Sequence, residues 1–290
     1  MSHLTPLRYP GGKGKLAPFI RLCLQENGLL DGHYAEPYAG GAGIALDLLL
    51  SECVSYIHLN DLNYPLYCFW HSILNNCDEF LGKLERCTLS VAAWKRHRNI
   101  VNNPNSHRMI DVGFSFFFLN RTNRSGIING GVIGGYDQTG NWKIDARFNK
   151  NTLIQRITRI NGYSDRIFTY NLDALKFLSR MEKELPSKAL IYLDPPYYDK
   201  GQRLYDNFYC PDDHALVRNA VSTIKGIPWI VSYDNKPAIL DLYKDYRSHI
   251  YDLKYSAAKS YSGSEAIFFC DDLIVPKKKD LQSLLYKSAA

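Results

Sequence analysis

The chain has 290 residues, of which 46% are hydrophobic and 22% are charged, and its formal net charge is +6. This length and apolar fraction exclude a disordered protein and suit one large globular α/β domain with an insertion. The seven cysteines show no Cys-x-x-Cys spacing, which argues against a disulfide framework or a zinc knuckle, and no apolar run is long enough to span a bilayer. We therefore expect no metal centre, no membrane association and a cytoplasmic location with reduced thiols.

The first segment with a chemical signature is 8–15, where two glycines precede Lys13. Glycines beside a lysine can wrap a carboxylate or a phosphate, because the backbone can approach such a ligand closely. The alternative is a flexible basic lead-in to a helix predicted over 16–26. Both interpretations stay open for this segment taken alone.

A strand, a glycine-rich turn and a helix are predicted in succession over 34–50. This order lets backbone approach a cofactor and directs helix N–H groups towards it. A second strand over 54–59 ends in Asn60 and Asp61, and an acid at such a strand tip can bind both hydroxyls of a ribose. Because the turn reads Gly-Gly-x-Gly, the dinucleotide fingerprint is missing and a pyrophosphate ligand is not favoured. S-adenosylmethionine, which has a ribose and no phosphate, suits this pattern.

Positive charge is concentrated over 83–166, where 14 Lys and Arg stand against 5 Asp and Glu. This stretch carries +9, and the remainder of the chain carries −3. Such a basic stretch neutralises phosphates well, although a solvated basic surface is the alternative. Within it, glycines alternate with short β-compatible pieces at 127–128 and 132–133, which predicts a hairpin or loop lying against nucleic acid.

The most informative motif is Asp194-Pro195-Pro196-Tyr197, directly after an apolar strand predicted over 189–193. The amine of a nucleobase is a weak nucleophile because its lone pair is delocalised into the ring, so a catalyst has to accept the amine hydrogens. Asp194 offers carboxylate oxygens, and Pro195 offers a carbonyl on a segment that the two prolines hold rigid without competing N–H groups. Tyr197 offers a ring on which a base can stack. The alternative is an ordinary turn after a strand.

Beyond this motif the pattern predicts a helix from Pro211, a buried strand over 228–233 and two more strands over 250–255 and 266–270. The last two strands leave no room for a crossover helix. We therefore expect an antiparallel pair at the edge of a mostly parallel sheet. The small and polar residues 257–264 between them predict a mobile loop.

In this order the segments resemble the Dam-type (D12 class) DNA adenine-N6 methyltransferases. Their motifs are aromatic-x-Gly-Gly-Lys, then Glu-Pro-Phe-x-Gly-x-Gly, then an acidic residue, then Asp-Pro-Pro-Tyr. This chain departs from them in Tyr9 and Tyr38, where relatives carry tryptophan and phenylalanine, and in Gly41, where a larger residue is usual. Both tyrosines keep an aromatic face, so the motifs remain recognisable.

The resemblance implies a Rossmann-like S-adenosylmethionine-dependent methyltransferase fold, in the α/β class, with a mostly parallel sheet and an antiparallel edge pair. It also implies an inserted, mainly helical target-recognition domain with a hairpin. The catalytic domain would comprise 1–64 and 167–290, and the inserted DNA target-recognition domain would comprise 65–166.

The resemblance also implies S-adenosyl-L-methionine as cofactor, double-stranded DNA as partner, and a restriction endonuclease of the same system as a further candidate partner. The expected catalytic residues are Asp194, Pro195, Pro196 and Tyr197. The expected cofactor-binding residues are Tyr9, Lys13, Glu36, Tyr38, Gly40, Asp61 and Asp194. The expected DNA contacts are Arg8, Arg121, Arg124, Ser125, Asn129, Lys143 and Arg147.

The expected activity is site-specific transfer of a methyl group to the N6 amine of an adenine flipped out of the duplex. An N4-cytosine or RNA-base methyltransferase stays open, because those amines pose the same electronic problem. A nucleotide-dependent oxidoreductase is disfavoured by the missing pyrophosphate fingerprint. A non-catalytic DNA-binding protein that has kept the fold is the third alternative.

Overall fold

The structure is a computed structural model that describes residues 4–9, 12–198, 209–256 and 260–287. The chain forms two compact units. The sheet unit comprises Lys13–Leu62 and Tyr170–Ala290, and the helical unit comprises Ser2–Gly12 and Asn63–Thr169. The helical unit holds 15 Lys and Arg against 7 Asp and Glu, whereas the rest of the chain holds 20 against 22. The excess positive charge therefore belongs to the helical unit.

Seven strands form a single sheet. They are β1 (Gly32–Glu36), β2 (Val54–Asn60), β3 (Ile167–Tyr170), β4 (Ala189–Leu193), β5 (Trp229–Asp234), β6 (Arg247–Ser256) and β7 (Ser260–Phe269). Their order across the sheet is β3-β2-β1-β4-β5-β7-β6. β1 pairs in parallel with β2 and β4, and β4 pairs in parallel with β5. β7 runs antiparallel to both β5 and β6. The prediction of a mostly parallel, Rossmann-like sheet with an antiparallel edge pair is confirmed.

The helices alternate with the strands in the sheet unit and follow one another in the helical unit. The helices of the sheet unit are α1 (Ala17–Glu26), α2 (Gly43–Leu50), α8 (Ala174–Glu184), α9 (Pro211–Thr223), α10 (Pro237–Leu242) and α11 (Lys278–Lys287). Those of the helical unit are α3 (Tyr64–Asn75), α4 (Cys77–Arg86), α5 (Val91–Asn102), α6 (Met109–Thr122) and α7 (Lys150–Asn161). Among the described residues, no helix combines the length and the apolar character needed to cross a bilayer.

β4 is apolar along its whole length because a central parallel strand has both faces covered. All five of its residues are buried. Charged side chains are therefore absent from β4 itself, and the next charged residue, Asp194, stands directly after its end. Burial of the strand thus fixes the position of the motif that follows it.

The helical unit is built around α6, which is buried on nearly all sides. A helix that is apolar around its whole circumference must be surrounded by protein. Gly113 permits α3 to approach closely, since a Cβ at this position would lie 2.5 Å from the backbone oxygen of Cys68. Aromatic rings complete the packing, with Phe69 and Phe117 stacked at a centroid distance of 5.7 Å.

Two segments differ from the regular structure that the sequence pattern predicts. The expected hairpin region contains one antiparallel bridge, between Asn123 and Val132, and otherwise turns. The prediction of a loop over 257–264 is wrong for residues 260–264, because β7 already begins at Ser260. Residues 257–259 lie outside the described part of the chain. Pairing with β6 extends the small, polar residues 260–264 into the strand, and this tertiary contact outweighs their local preference for a loop.

Candidate active site

The predicted motifs meet at one edge of the sheet. The glycine-rich turn follows β1, Asp61 follows β2 and Asp194 follows β4. These three strands are neighbours and run in parallel, so their carboxyl ends lie at the same edge. The strand order reverses between β1 and β4, and ligands of open α/β sheets bind in the crevice at this switch point. The sheet topology therefore brings the cofactor and catalytic motifs together.

The glycine-rich turn is tied to the tip of β2. The Gly40 N–H donates to Asp61 Oδ2 over 3.0 Å. Gly40 has a φ of +47°, and Ala42 adopts the left-handed region with a φ of +49° before α2 begins. A Cβ at Gly43 would lie 3.3 Å from the Cα of Gly14. Glycine at both positions therefore allows the segment after Lys13 to lie against the first turn of α2.

Glu36 connects β1 to α2. Its carboxylate is buried and accepts a hydrogen bond from the Ala45 N–H over 3.2 Å. Burial raises the pKa of Glu36 to about 8, against the opposing effect of hydrogen bonds from Tyr34 and from the Ala45 backbone. Glu36 is thereby held at the end of its strand. Tyr38, two residues further on, places its hydroxyl oxygen 3.0 Å from that of Tyr209, which precedes α9.

Lys13 lies in a buried polar network of the sheet unit. Its Nζ is 2.6 Å from Glu265 Oε2 and 3.6 Å from Asp194 Oδ1. The same nitrogen donates to the Tyr197 hydroxyl over 3.2 Å, and this hydroxyl donates to Glu265 Oε1 over 3.3 Å. The ammonium group also lies 4.9 Å from the centroid of the Tyr197 ring. Lys13 and the catalytic motif are therefore parts of one hydrogen-bonded network.

Asp194 receives a second support from β5. Ser232 Oγ donates to Asp194 Oδ1 over 3.1 Å, and the Tyr192 hydroxyl lies 2.7 Å from the same serine oxygen. The Asp194 side chain retains 23% exposure, whereas the side chains of Lys13 and Glu265 retain 2% each. Asp194 is therefore the member of the network that a ligand can reach.

The buried charges shift one another's pKa values. Burial acts to lower the pKa of Lys13, but the carboxylates of Asp194 and Glu265 outweigh burial, and the pKa is raised. Burial raises the pKa of Asp194 to about 6, a shift that Lys13 opposes and Glu265 reinforces. Asp194 is therefore ionised at neutral pH and becomes protonated in mildly acidic solution.

Tyr9 belongs to the helical unit, where its carbonyl oxygen accepts a hydrogen bond from Gly12 N–H over 3.2 Å. Pro10 and Gly11 of the same motif lie outside the described residues.

The predicted DNA-contacting residues of the helical unit surround the segment after α6. Asn120 fixes Arg8 in place, because its Oδ1 accepts from the Arg8 N–H over 2.8 Å and its Nδ2 donates to the Arg8 carbonyl over 2.9 Å. Asn123 organises the turn, donating to the carbonyls of Ile127 and Ile128 over 2.9 and 2.8 Å. Two buried amides therefore hold a backbone segment that has little regular structure of its own.

Four arginines of this unit lie close enough to affect one another: Arg8, Arg121, Arg147 and Arg156. Burial, together with the smaller effect of the other three arginines, lowers the pKa of Arg121 to about 9. No carboxylate is among the described groups that shift it. Arg121 donates through Nε to the Arg147 carbonyl over 2.7 Å, and its Nη2 donates to the same oxygen. Arg121 therefore holds the segment that carries Arg147, and the cluster keeps its positive charge.

The other predicted contacts occupy the same segment. Arg124, Asn129, Lys143 and Arg147 are exposed, and Ser125 is half-buried with a φ of +57°. Trp142 is 69% exposed, and the centroid of its ring lies 5.9 Å from Arg147 Cζ. The region thus presents cations and an aromatic ring on a turn-rich backbone.

The residues at the sheet edge fit a ribose-containing cofactor. Asp61 supplies a carboxylate at the tip of β2, and the close approach of Gly14 and Gly43 keeps side chains away from the start of α2. Within the described ranges, no group of three or more His, Cys, Asp or Glu side chains is placed to hold a metal ion.

The sheet order, with β7 running antiparallel between β5 and β6, defines a Rossmann-like methyltransferase fold. The family comparison agrees: the model of the D12 class N6 adenine-specific DNA methyltransferases matches residues 9–257. The chain belongs to this family. The match includes the glycine-rich turn, Asp61, the helical insert and the Asp-Pro-Pro-Tyr motif.

Two solved structures are distantly similar to the chain. A precorrin-8W decarboxylase of Methanobacterium thermoautotrophicum is 10% identical over 86% of this chain and 88% of that chain, with a TM-score of 0.36. An rRNA methyltransferase of Streptomyces viridochromogenes is 11% identical over 90% of this chain and 85% of that chain, with a TM-score of 0.38. No curated protein matches the chain.

Glu265 and Ser232 both contact the predicted site residues, and neither was predicted from the sequence. Ser232 lies in a strand whose neighbours are apolar, so nothing local distinguishes it. Glu265 precedes the apolar run Ala266 to Phe269 and is itself buried. An acid inside a strand that otherwise reads as buried is a signal for a charged partner, because an unpaired buried carboxylate is costly.

Proposed function

We propose that this protein is a site-specific DNA adenine-N6 methyltransferase that uses S-adenosyl-L-methionine. The observation that carries the proposal is the position of Asp194 and Pro195 at the end of β4, beside the glycine-rich turn of β1 and Asp61 of β2. Family membership supplies the reaction class. The proposal is supported by the switch point of the sheet, where the Asp194 motif lies next to the glycine-rich turn and Asp61.

The catalytic motif acts on the amine of the base. The Asp194 carboxylate, ionised at neutral pH, and the Pro195 carbonyl accept the two amine hydrogens, which localises the nitrogen lone pair for attack. The Tyr197 ring supports the base by stacking, a contact worth about 1–3 kcal/mol. The proton leaves the amine after the new bond has formed, so the site needs no strong base. Adenine must leave the duplex to reach this motif.

The cofactor would be held at the sheet edge. Asp61 would bind the ribose hydroxyls, and the turn containing Gly40 would admit the cofactor to the backbone at the start of α2. When bound, S-adenosyl-L-methionine supplies a methyl carbon whose bond to sulfur breaks as the bond to nitrogen forms, and the electron pair stays on sulfur. Lys13, Glu36, Tyr38 and Asp194 line or support this edge, and we propose Tyr9 as a further contact.

The helical unit would bind double-stranded DNA as the target-recognition domain. Its excess of positive charge and the uncompensated arginine cluster favour a polyanion. We propose that Arg8 and Arg147 contact phosphates, and that Arg124, Ser125, Asn129 and Lys143 lie along the groove. Arg and Asn are the residues that read guanine and adenine edges bidentately. Arg121 contributes by holding the Arg147 segment.

The test is methyl transfer to DNA and RNA, followed by mass analysis of the nucleosides. We expect N6-methyladenine in DNA, formed only with S-adenosyl-L-methionine. N4-methylcytosine, or methylation confined to RNA, would contradict the proposed substrate. Expression in a host without DNA methylation, followed by single-molecule sequencing, would then give the recognition sequence.

A further inference from the structure

Glu265 is a buried carboxylate contributed by the antiparallel part of the sheet. It lies on β7, opposite Asp234 of β5, and is 2% exposed. A buried charge persists only where a partner offsets its loss of hydration. Lys13 is an ionic partner of Glu265, with its Nζ 2.6 Å from Oε2. The ion pair joins the N-terminal motif of the sheet unit to one of the last strands of the chain.

The ammonium group of Lys13 lies between the carboxylates of Glu265 and Asp194, at unequal distances from them. Lys13 Nζ is 1.0 Å nearer to Glu265 Oε2 than to Asp194 Oδ1, from separations of 2.6 and 3.6 Å. Loss of the Glu265 charge would remove one attraction that competes with the attraction of Lys13 for Asp194. A direct ion pair would then occupy the carboxylate that has to accept the amine hydrogens. Glu265 thus keeps Asp194 close to a cation without full pairing.

Glu265 also contacts the aromatic residue of the motif. The Tyr197 hydroxyl donates to Glu265 Oε1 over 3.3 Å and accepts from Lys13 Nζ over 3.2 Å. Two contacts at the far end of the ring fix its direction, and they do so from groups that are themselves buried. The orientation of the stacking surface therefore depends on the same glutamate.

We propose that Glu265 is a positioning residue of the methyl-transfer site, which holds Lys13 away from Asp194 and orients the ring of Tyr197. This inference rests on the proposed function. Glu265 would act through Lys13 and Tyr197, the two residues of the site that it contacts.

Several titratable or polar groups from other elements lie close enough to Asp194 to interact with its carboxyl group. One of them is Lys13, which precedes α1. The others are Tyr34 and Glu36 of β1, Tyr192 of β4, Ser232 of β5, Tyr251 of β6 and Glu265 of β7. The tyrosine hydroxyls stay neutral in mild acid, since burial raises the pKa of each of them. Burial likewise keeps the pKa of Glu36 at about 8. Besides burial, the described charges that shift the pKa of Asp194 are those of Lys13 and Glu265.

Two substitutions separate the two roles. Glu265→Gln keeps the reach of the side chain and removes its charge, so Lys13 should move to Asp194. Glu265→Asp keeps the charge and shortens the reach, so the contact with the Tyr197 hydroxyl should be lost. Glu182→Gln on α8 is the matched control, because Glu182 is exposed and lies outside the network.

For Glu265→Gln we expect kcat to fall about tenfold or more at saturating DNA, with the S-adenosyl-L-methionine Kd from calorimetry changed less than about threefold. The acidic limb of the rate profile should move about one pH unit lower, because Asp194 loses a like charge and gains a direct ion pair. For Glu265→Asp we expect a lower kcat with the acidic limb unchanged. Glu182→Gln should match the parent in every measurement.

A readout without cofactor is the titration of the Asp194 carboxyl by ¹³C NMR, assigned with Asp194→Asn. We expect a midpoint near 6 in the parent, as the pKa of about 6 for Asp194 requires, and a lower midpoint in Glu265→Gln. A merely structural glutamate would lower the melting temperature without moving this midpoint. Parental kcat and an unmoved Asp194 titration in folded Glu265→Gln would overturn the inference.

Loss of the Lys13 partner can prevent folding of Glu265→Gln, since breaking a buried pair is strongly destabilising. Tyr197→Phe then carries the test, because it keeps the stacking ring and removes only the hydroxyl that Glu265 orients. We expect a kcat several-fold below the parent, and parental kcat would overturn the positioning role. A parent that transfers no methyl group would instead refute the proposed function, while the NMR titration would still decide whether Glu265 controls Asp194.

Discussion

Lys13 of the sheet unit and Arg121 of the helical unit are both cations whose pKa values are affected by burial. The described charges near Lys13 are negative, and those near Arg121 are positive. Lys13 is placed between Glu265 and Asp194, which raise its pKa. Arg121 has Arg8, Arg147 and Arg156 as its charged neighbours, and its pKa is lowered to about 9 by burial and by these arginines. The described charged neighbours of Lys13 are opposite to it in sign, whereas those of Arg121 have the same sign as Arg121.

We propose that this difference reflects separate tasks of the two units. An internally balanced network holds charges at fixed positions without attracting external ions, which suits the orientation of reacting groups. An unbalanced cluster gains most when a phosphate arrives and its counterions are released. Substitutions in the sheet unit should therefore change the rate of methyl transfer, and substitutions in the helical unit should change DNA affinity.

The largest expected effect is that of Asp194→Ala. Loss of the carboxylate should lower kcat about 10²–10³-fold, the cost typical of removing one preorganised hydrogen-bonding group from a reacting centre. DNA affinity in a mobility-shift assay should stay within about twofold of the parent. Asp272→Ala, at an exposed position of the same unit, is the control. A weakened DNA complex with unchanged kcat would reverse the division between the units.

The next effect is the pH dependence of the parent. Because Asp194 must be ionised to accept the amine hydrogens and its pKa is raised to about 6, kcat/KM should fall about tenfold per pH unit below pH 6. The loss runs in the acidic direction, since protonation removes the acceptor. Steady-state kinetics from pH 5 to 8 measures it. A flat profile across this range would remove Asp194 from its proposed role.

A smaller effect is expected for Arg147→Ala in the helical unit. DNA binding should weaken about three- to tenfold, and the slope of log K against log salt should become shallower by about one. kcat at saturating DNA should not change, because Arg147 is outside the sheet unit. Fluorescence anisotropy at several salt concentrations checks this, with Arg180→Gln of α8 as the control. An unchanged salt slope would exclude a phosphate contact.

The smallest effect concerns stability in acid and should be similar in both units. Burial lowers the pKa of His58 in the sheet unit to about 4, with His33 and Arg180 contributing, and the pKa of His97 in the helical unit is also about 4, mainly through burial. At these two histidines the folded state binds fewer protons than the unfolded state below pH 6.5, so the stability that they contribute is lost as pH falls from 6.5 towards 4. We expect the Tm to drop by several degrees.

Calorimetry of His58→Gln and His97→Gln at pH 7 and pH 5 tests this loss. Each variant should show a smaller drop than the parent, whereas His107→Gln, at an exposed position, should not. An equal drop in all the proteins would place the acid sensitivity elsewhere.

The elements around the motifs could be predicted because their signals are local. β4 is an unbroken apolar run that ends before Asp194 and Pro195. α2 follows a glycine-rich turn, and a side chain at Gly43 would crowd the backbone of Gly14. The extension of β7 to Ser260 could not be predicted, because residues 260–264 gain their strand structure only by pairing with β6. The roles of Asn120 and Asn123 were hidden for a similar reason, since their hydrogen bonds depend on how the chain folds back after α6.

The amino-acid sequence by itself determined which chemical groups stand at the ends of β1, β2 and β4, because the apolar runs of these strands mark where each strand ends. It also determined that the positive charge falls in the insert. Only the tertiary structure decided how those groups are charged. Glu265 reaches Lys13 across 252 positions of the chain, and this contact follows from the register of β7 against β5. Electrostatic interactions depend on distance in space, and spacing along the sequence does not report it.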